Sequence, residues 1–233
     1  METIEIKDQK PRLKDQKWMI QNNMIAIVDY GMGNLASVYK AMLYIGQEAV
    51  VTSASKDLLK ADAVILPGVG AMSNAMANLK AAGLDDGLYE TVRRQKPLLG
   101  ICLGMQMLFE TSDEGRIHAD PEKGQPEVPV LGLGIFKGSV LRLPNLPSIK
   151  IPHMGWNQLV ETKGGLLREG SFVYFVHSYC AVPADASLIT SKADHGIRFA
   201  ASVARDGVCA MQFHPEKSGD TGLDILRAWV RSF

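Results

Sequence analysis

What most constrains this chain is an alternation that runs from Met24 to Phe109. Short apolar runs, each long enough for one buried strand, alternate with segments whose apolar residues recur every three or four positions. "MIAIVD", "EAVVT", "DAVILP" and "PLLGIC" read as strands. Between the first two, Leu35, Val38, Met42 and Ile45 mark one face of a helix. "SKDLLKA" predicts a short helix opened by a serine cap, and 71–95 is mostly helical with a break near Gly83 to Gly87. "LGMQMLFE" predicts a further helix after the fourth strand. Strands that are apolar throughout and joined by helices imply an α/β fold: a mostly parallel central sheet with helices on both faces.

The pattern changes after about Thr111. Residues 112–130 read as one polar loop bearing Pro and Gly. Beyond it come "IFKGSVLRL", "FVYFVHSY" and "FAASVARDGVCAMQF", the last turning at Asp206-Gly207 like a hairpin. These add antiparallel strands in the C-terminal half, and an amphipathic helix over about 220–231 closes the chain. The first stretch, residues 1–23, mixes both signs of charge, lacks the apolar core of a signal peptide and is expected to be a flexible extension. The division is then 1–23 and one domain, 24–233.

Bulk properties exclude several classes of function. Lys plus Arg equals Asp plus Glu at 25 each, which provides no electrostatic footprint for nucleic acid. No apolar run approaches the ~20 residues of a membrane helix. Three cysteines without a CxxC argue against a disulfide framework and for a reducing cytoplasm. No His or Cys pair has metal-ligand spacing, so neither a metal nor another cofactor is expected.

Two glycine-bearing turns invite chemistry. Gly31-x-Gly33-x-x-Ala36 stands where a dinucleotide fingerprint would, yet the second strand ends in Thr52 and Ser53 rather than the acidic residue that motif wants. A tight strand-to-helix turn explains it as well. The second is Gly100-Ile101-Cys102-Leu103-Gly104, a nucleophile between glycines, with a strand before it and a helix after. That is the context of a nucleophile elbow, and a helix N-terminus behind the sulfur would favour thiolate. The alternative is a packed core cysteine. Cys209, among apolar residues, fits that alternative better, and Cys180 shows no elbow.

A cysteine nucleophile needs a base. His118 and His195 lie in polar, turn-like stretches, and His153 and His177 end apolar ones. His214 stands apart because Pro215 separates it from Glu216, and an extended chain there would bring the carboxylate beside the imidazole. Cys102, His214 and Glu216 thus form a candidate triad. An oxyanion hole would draw on the amide of Leu103 and on Gly68, Val69 and Gly70 in "LPGVGAM", which otherwise read as an ordinary turn.

Together these residues resemble the class I, triad-type glutamine amidotransferases, whose hallmarks are a G-x-C-x-G-x-Q elbow and a later H-x-E. "DYGMGNLASV", "LPGVGAM", "GICLGMQMLF", "GLGIFKGSV", "PHMGWN", "YFVHSY" and "QFHPEKSG" carry the likeness over residues 24–220. They resemble most the branch that supplies ammonia to a cyclase in histidine biosynthesis. The resemblance implies glutamine as substrate, with Gln106, His177, Ser178 and Tyr179 holding its amino-acid end. It also implies a (β/α)8-barrel cyclase partner in a heterodimer, faced by Tyr30, Asn34, Trp156, Asn157 and Lys217. In such proteins the glutaminase stays nearly silent until the partner binds its ligand, and 68–70 is the expected switch. Rival readings are a different class I glutaminase, a cysteine peptidase on a similar sheet, or a non-catalytic subunit.

Overall fold

A computed structural model describes residues 23–117, 128–147 and 149–233. The expected extension, apart from Asn23, and the middle of the 112–130 loop, His118 included, lie outside the described residues.

The first half follows the alternation. Strand β1 (Ile25–Val28) leads to α1 (Leu35–Tyr44), β2 (Ala49–Thr52), α2 (Ser55–Lys60) and β3 (Ala63–Gly68). Then come α3 (Met72–Ala81), α4 (Leu84–Arg93), β4 (Leu98–Cys102) and α5 (Leu103–Met107). The break between α3 and α4 falls at Gly83, whose φ of 62° is left-handed, while Gly87 lies inside α4. No serine caps α2: Ser55 is its first residue, and the Thr52 hydroxyl instead accepts from the Ala54 amide (3.0 Å) and donates to Asp57 (2.8 Å).

β1, β3 and β4 are buried along their whole length because both faces of the sheet are covered. Ala26, Val28, Val64 and Leu66 face a cluster with α2, α3, α4 and α5 residues such as Leu58, Leu79, Leu88 and Met105. Ile25, Ile27, Ala63 and Ile65 face the other cluster, with Val38 and Met42 of α1 and Leu226 and Trp229 of α6 (Gly219–Val230). That two-residue alternation within uniformly apolar strands is how one run serves two cores.

Among the described residues the second half supplies β5 (Phe109–Ile117), β6 (Val128–Leu131), β7 (Phe136–Arg142), β8 (His153–Gln158), β9 (Phe172–His177), β10 (Tyr179–Pro183), β11 (Ile189–Asp194), β12 (Arg198–Arg205) and β13 (Val208–Met211). The central sheet runs β11-β12-β13-β4-β3-β1-β2, parallel from β13 to β2 and antiparallel at β11-β12-β13. A second sheet runs β10-β7-β5-β6, and β8-β9 form a separate antiparallel hairpin. Three local expectations change. The helix after Cys102 stops at Met107, because Phe109 already pairs with Phe136. Residues 112–117 and 128–130 are strand rather than loop. "FVYFVHSY" is not one strand: β9 and β10 part at Ser178 and join different sheets. No helix among the described residues is long and apolar enough to cross a membrane.

This topology sets a site. The parallel strands β13, β4 and β3 lie side by side, and their carboxyl ends lead His214, Cys102 and Val69 to one crevice, where open α/β sheets usually bind ligands. The β9-to-β10 crossing brings Ser178 to the same place.

Candidate active site

Cys102 is the last residue of β4, with φ 54° and ψ −108°. For a residue with a Cβ this is a sparsely populated conformation that costs about 1–3 kcal/mol and persists only when its surroundings enforce it. They do so through Gly68, the register partner of Cys102 on β3, and through Gly104. A methyl group on Gly104 would lie 1.8 Å from the Leu66 carbonyl oxygen, so α5 can press against β3 only without one. Cys102 is 6% exposed, and its sulfur stands 3.8 Å from the Val176 carbonyl and 3.7 Å from Nε2 of Gln212. Because α5 is only five residues long, little of any thiolate stabilisation here can come from a helix dipole.

His214 follows β13 in extended conformation, but Glu216 belongs to a 3-10 turn over 215–217 opened by Pro215. The turn, rather than the extended chain expected from the sequence, brings the carboxylate to the ring: Nδ1 is 2.8 Å from Oε1, both side chains 1% exposed. Proline fits this first helical position because no partner exists there for the missing N–H. The His214 amide donates to the Tyr174 carbonyl (2.9 Å), and its carbonyl accepts from the Ser218 hydroxyl (2.6 Å). Burial pulls the imidazolium pKa down, but the neighbouring Cys102 sulfur, in its thiolate form, and then Glu216 outweigh it and raise the pKa to about 10. Nε2 makes no standard hydrogen bond in the resting structure. A ring whose charged form is favoured by a carboxylate on one side and a sulfur on the other is equipped to hold a thiolate and later to give up a proton.

Cys102 and His214 line a cavity of about 300 Å³, at the lower end of small-molecule clefts. Leu103, Val69, Gly70, Gln106, His177, Ser178 and Tyr179 line it too. Gly68 does not. It is buried beneath, where a Cβ would meet the Tyr30 hydroxyl at 2.6 Å and the Leu103 Cβ at 2.9 Å. Tyr30 also departs from expectation: it is 4% exposed and donates its hydroxyl to the Pro67 carbonyl (2.9 Å), so its ring supports the 68–70 turn rather than facing outward. Burial, then the Cys102 charge, raises its pKa. Trp156 (56% exposed) and Lys217 are on the surface, and Asn34 and Asn157 are half-buried.

Two residues enter the site that the sequence did not single out. Glu114 of β5 lines the cavity; its carboxylate accepts from the Met72 amide (2.9 Å), and burial raises its pKa. Its place in a charged stretch concealed it. Gln212 is fully buried between Gln106 and Cys102. A lone amide in the apolar run "CAMQF", two residues before His214, was its available signal. Among the described residues no cluster of three or more His, Cys, Asp or Glu side chains could hold a metal ion.

The family model for glutamine amidotransferase class-I matches residues 26–232. The chain is 48% identical over 212 residues to the imidazole glycerol phosphate synthase subunit HisH of Dehalococcoides mccartyi, covering 89% of this chain and 97% of that protein. It is 46% identical to the protein of the same name from Moorella thermoacetica (87% and 92% covered) and 45% identical to that from Methanothermobacter thermautotrophicus (89% and 98%). Its fold is similar to a crystal structure of a glutamine amidotransferase (TM-score 0.66, 19% identity, 89% and 97% covered). It also resembles the structure of PurLQS from Thermotoga maritima (TM-score 0.66, 18% identity, 91% and 99% covered).

Proposed function

This chain belongs to the class-I glutamine amidotransferases and, within them, to the imidazole glycerol phosphate synthase HisH subunits, and from that membership we propose that it hydrolyses glutamine to glutamate and passes the ammonia to a cyclase partner. The two subunits together make imidazole glycerol phosphate and an aminoimidazole carboxamide ribotide in histidine biosynthesis. The observation that carries the reading is the strained Cys102 facing a buried His214–Glu216 pair across one small cavity.

The Cys102 thiolate attacks the side-chain amide carbon of glutamine. The oxygen of the tetrahedral intermediate takes hydrogen bonds from backbone amides, for which Leu103, Val69 and Gly70 on the cavity wall are the donors. Gly68 serves by being small. The His214 imidazolium protonates the departing nitrogen, the C–N bond breaks, and a γ-glutamyl thioester and ammonia remain. Neutral His214 then takes a proton from water, which attacks the thioester and releases glutamate and the thiol. Glu216 holds the ring by Nδ1 and stabilises its charged form.

The far wall suits the amino-acid end of the substrate. Gln106 donates to the Tyr179 carbonyl and to Gln212, each at 3.0 Å, which leaves its own oxygen for the substrate ammonium. Glu114 supplies negative charge for the same group, and the 177–179 backbone receives the carboxylate. Trp156, Asn157, Lys217 and Asn34 are the partner-facing residues, and a cytoplasmic location accords with three unpaired thiols.

The test is glutamate release by the purified chain, alone and with its cyclase partner loaded with nucleotide ligand. A low rate alone, a steep rise in the complex and loss in Cys102→Ala are expected. No release from a folded complex overturns the reading.

A further inference from the structure

The carbonyl oxygen of Tyr179 lies 3.0 Å from Nε2 of Gln106 and 2.9 Å from Nδ1 of His177. A carbonyl only accepts, so Gln106 must present its NH2 group there. The same NH2 group lies 3.0 Å from the Gln212 side chain, whose facing atom must then be its oxygen. With that oxygen committed, the Gln212 NH2 group points to Sγ of Cys102 at 3.7 Å. One backbone carbonyl therefore settles the orientation of two buried side-chain amides. The Gln212 main chain is fixed as well, its amide donating to the Ala201 carbonyl at 2.8 Å.

We propose that Gln212 is a positioning residue for the nucleophile: its N–H is held on the Cys102 sulfur, where it favours thiolate over thiol and fixes the rotamer from which the sulfur attacks. The Val176 carbonyl, 3.8 Å from the sulfur, is an acceptor and favours the protonated thiol. Gln212 opposes it from the protein interior, as the His214 imidazolium does from across the cavity. A hydrogen bond to the charged form of an acid lowers its pKa, and a buried donor loses little of that effect to water. The proposal rests on Cys102 being the nucleophile.

The test is the pH dependence of Cys102 alkylation by iodoacetamide, located by peptide mass spectrometry, in the full chain bound to its cyclase partner. Titratable groups facing or lining the same space are His214 with Glu216 behind it, His177 of β9, Glu114 of β5 and Tyr30 below the 68–70 turn. All of them remain in the variants. Gln212→Glu keeps an oxygen for Gln106 and replaces the donor with a group more acidic than a thiol. The midpoint for alkylation should rise by one pH unit or more. Gln212→Met removes the donor without adding charge and should give a smaller rise. Turnover of glutamine should fall at least tenfold in Gln212→Glu, with KM changed less than threefold. A folded variant of either kind with an unmoved alkylation midpoint overturns the proposal. Alkylation needs no glutamine, so a chain that failed to release glutamate would still report on Gln212. Glutamate release with an unmoved midpoint would sink this proposal alone.

Discussion

His153 Nδ1 lies 3.0 Å from His177 Nε2, and only one direction of donation satisfies both rings. His177 gives its Nδ1 hydrogen to the Tyr179 carbonyl, so its Nε2 accepts, and His153 must be the donor. His153 Nε2 then accepts from Asn157 at 3.2 Å. A proton added to either ring would break this order. Burial first, and for both the charge of neighbouring histidines, lowers the pKa of His153 to about 4 and of His177 to about 3. The unfolded chain binds these protons near pH 6.5 and the folded one does not. The stability gained from keeping the rings neutral is therefore complete above pH 6.5 and is lost as pH falls toward 4. Urea denaturation should show the domain weaker at pH 5 than at pH 7.5 by about 1–2 kcal/mol per ring. His153→Gln should flatten that dependence, and an equal slope in the variant would contradict the assignment.

Glu216→Gln tests the other buried pair. Replacing the carboxylate removes the charge that stabilises the His214 imidazolium, and glutamate release should fall by about a hundredfold or more. His214 has a folded pKa above its unfolded value, so its contribution to stability is full below pH 6.5 and fades as pH rises toward 10. Wild type should thus lose stability between pH 7 and pH 9.5, and the variant should lose less.

Gly104→Ala places a methyl group 1.8 Å from the Leu66 carbonyl oxygen, a backbone atom that cannot rotate away. Overpacking of this kind costs about 1–3 kcal/mol or more. The variant should melt well below the wild type, and a melting temperature within 2 °C, about the margin of a small surface change, would show that α5 can lift off β3.

Cys102→Gly and Cys102→Ala should both abolish glutamate release, yet differ in stability. Glycine adopts φ 54° and ψ −108° freely, and alanine only with strain. The glycine variant should be the more stable by about 1 kcal/mol in urea denaturation. Equal stabilities would mean that the elbow stores no strain.

Glu114→Gln removes the half-buried negative charge of the cavity wall but keeps an acceptor for the Met72 amide. KM for glutamine should rise by about tenfold while kcat changes little, the pattern of lost ground-state binding. A fall in kcat at constant KM would place Glu114 elsewhere in the reaction.

Much of this was legible in the residues. The apolar strands β1, β3 and β4 reveal themselves because nothing polar can occupy either face of a doubly covered sheet. The Cys102 elbow is readable from its glycines, which record close backbone approaches. What escaped detection depends on partners far along the chain. The parting of β9 from β10 is invisible in "FVYFVHSY", since the alternation runs on through Ser178 while the pairing changes from β8 to β7. Leu108 and Phe109 fit a helix or a strand by pattern, and Phe136 decides. The resemblance placed Tyr30 toward a partner, and only the Pro67 carbonyl that its hydroxyl reaches shows why a phenol is buried there.

The atom on which both His177 and Gln106 converge is part of the main chain. Every residue type carries that same oxygen, and its location is set by the pairing of Tyr179 with Arg142 between β10 and β7. Replacing the phenol should leave the junction standing, whereas a one-residue slip of β10 would dismantle it without altering a single side chain. Inheritance of this wiring is thus guarded by strand register rather than by the identity of the amino acid at its centre.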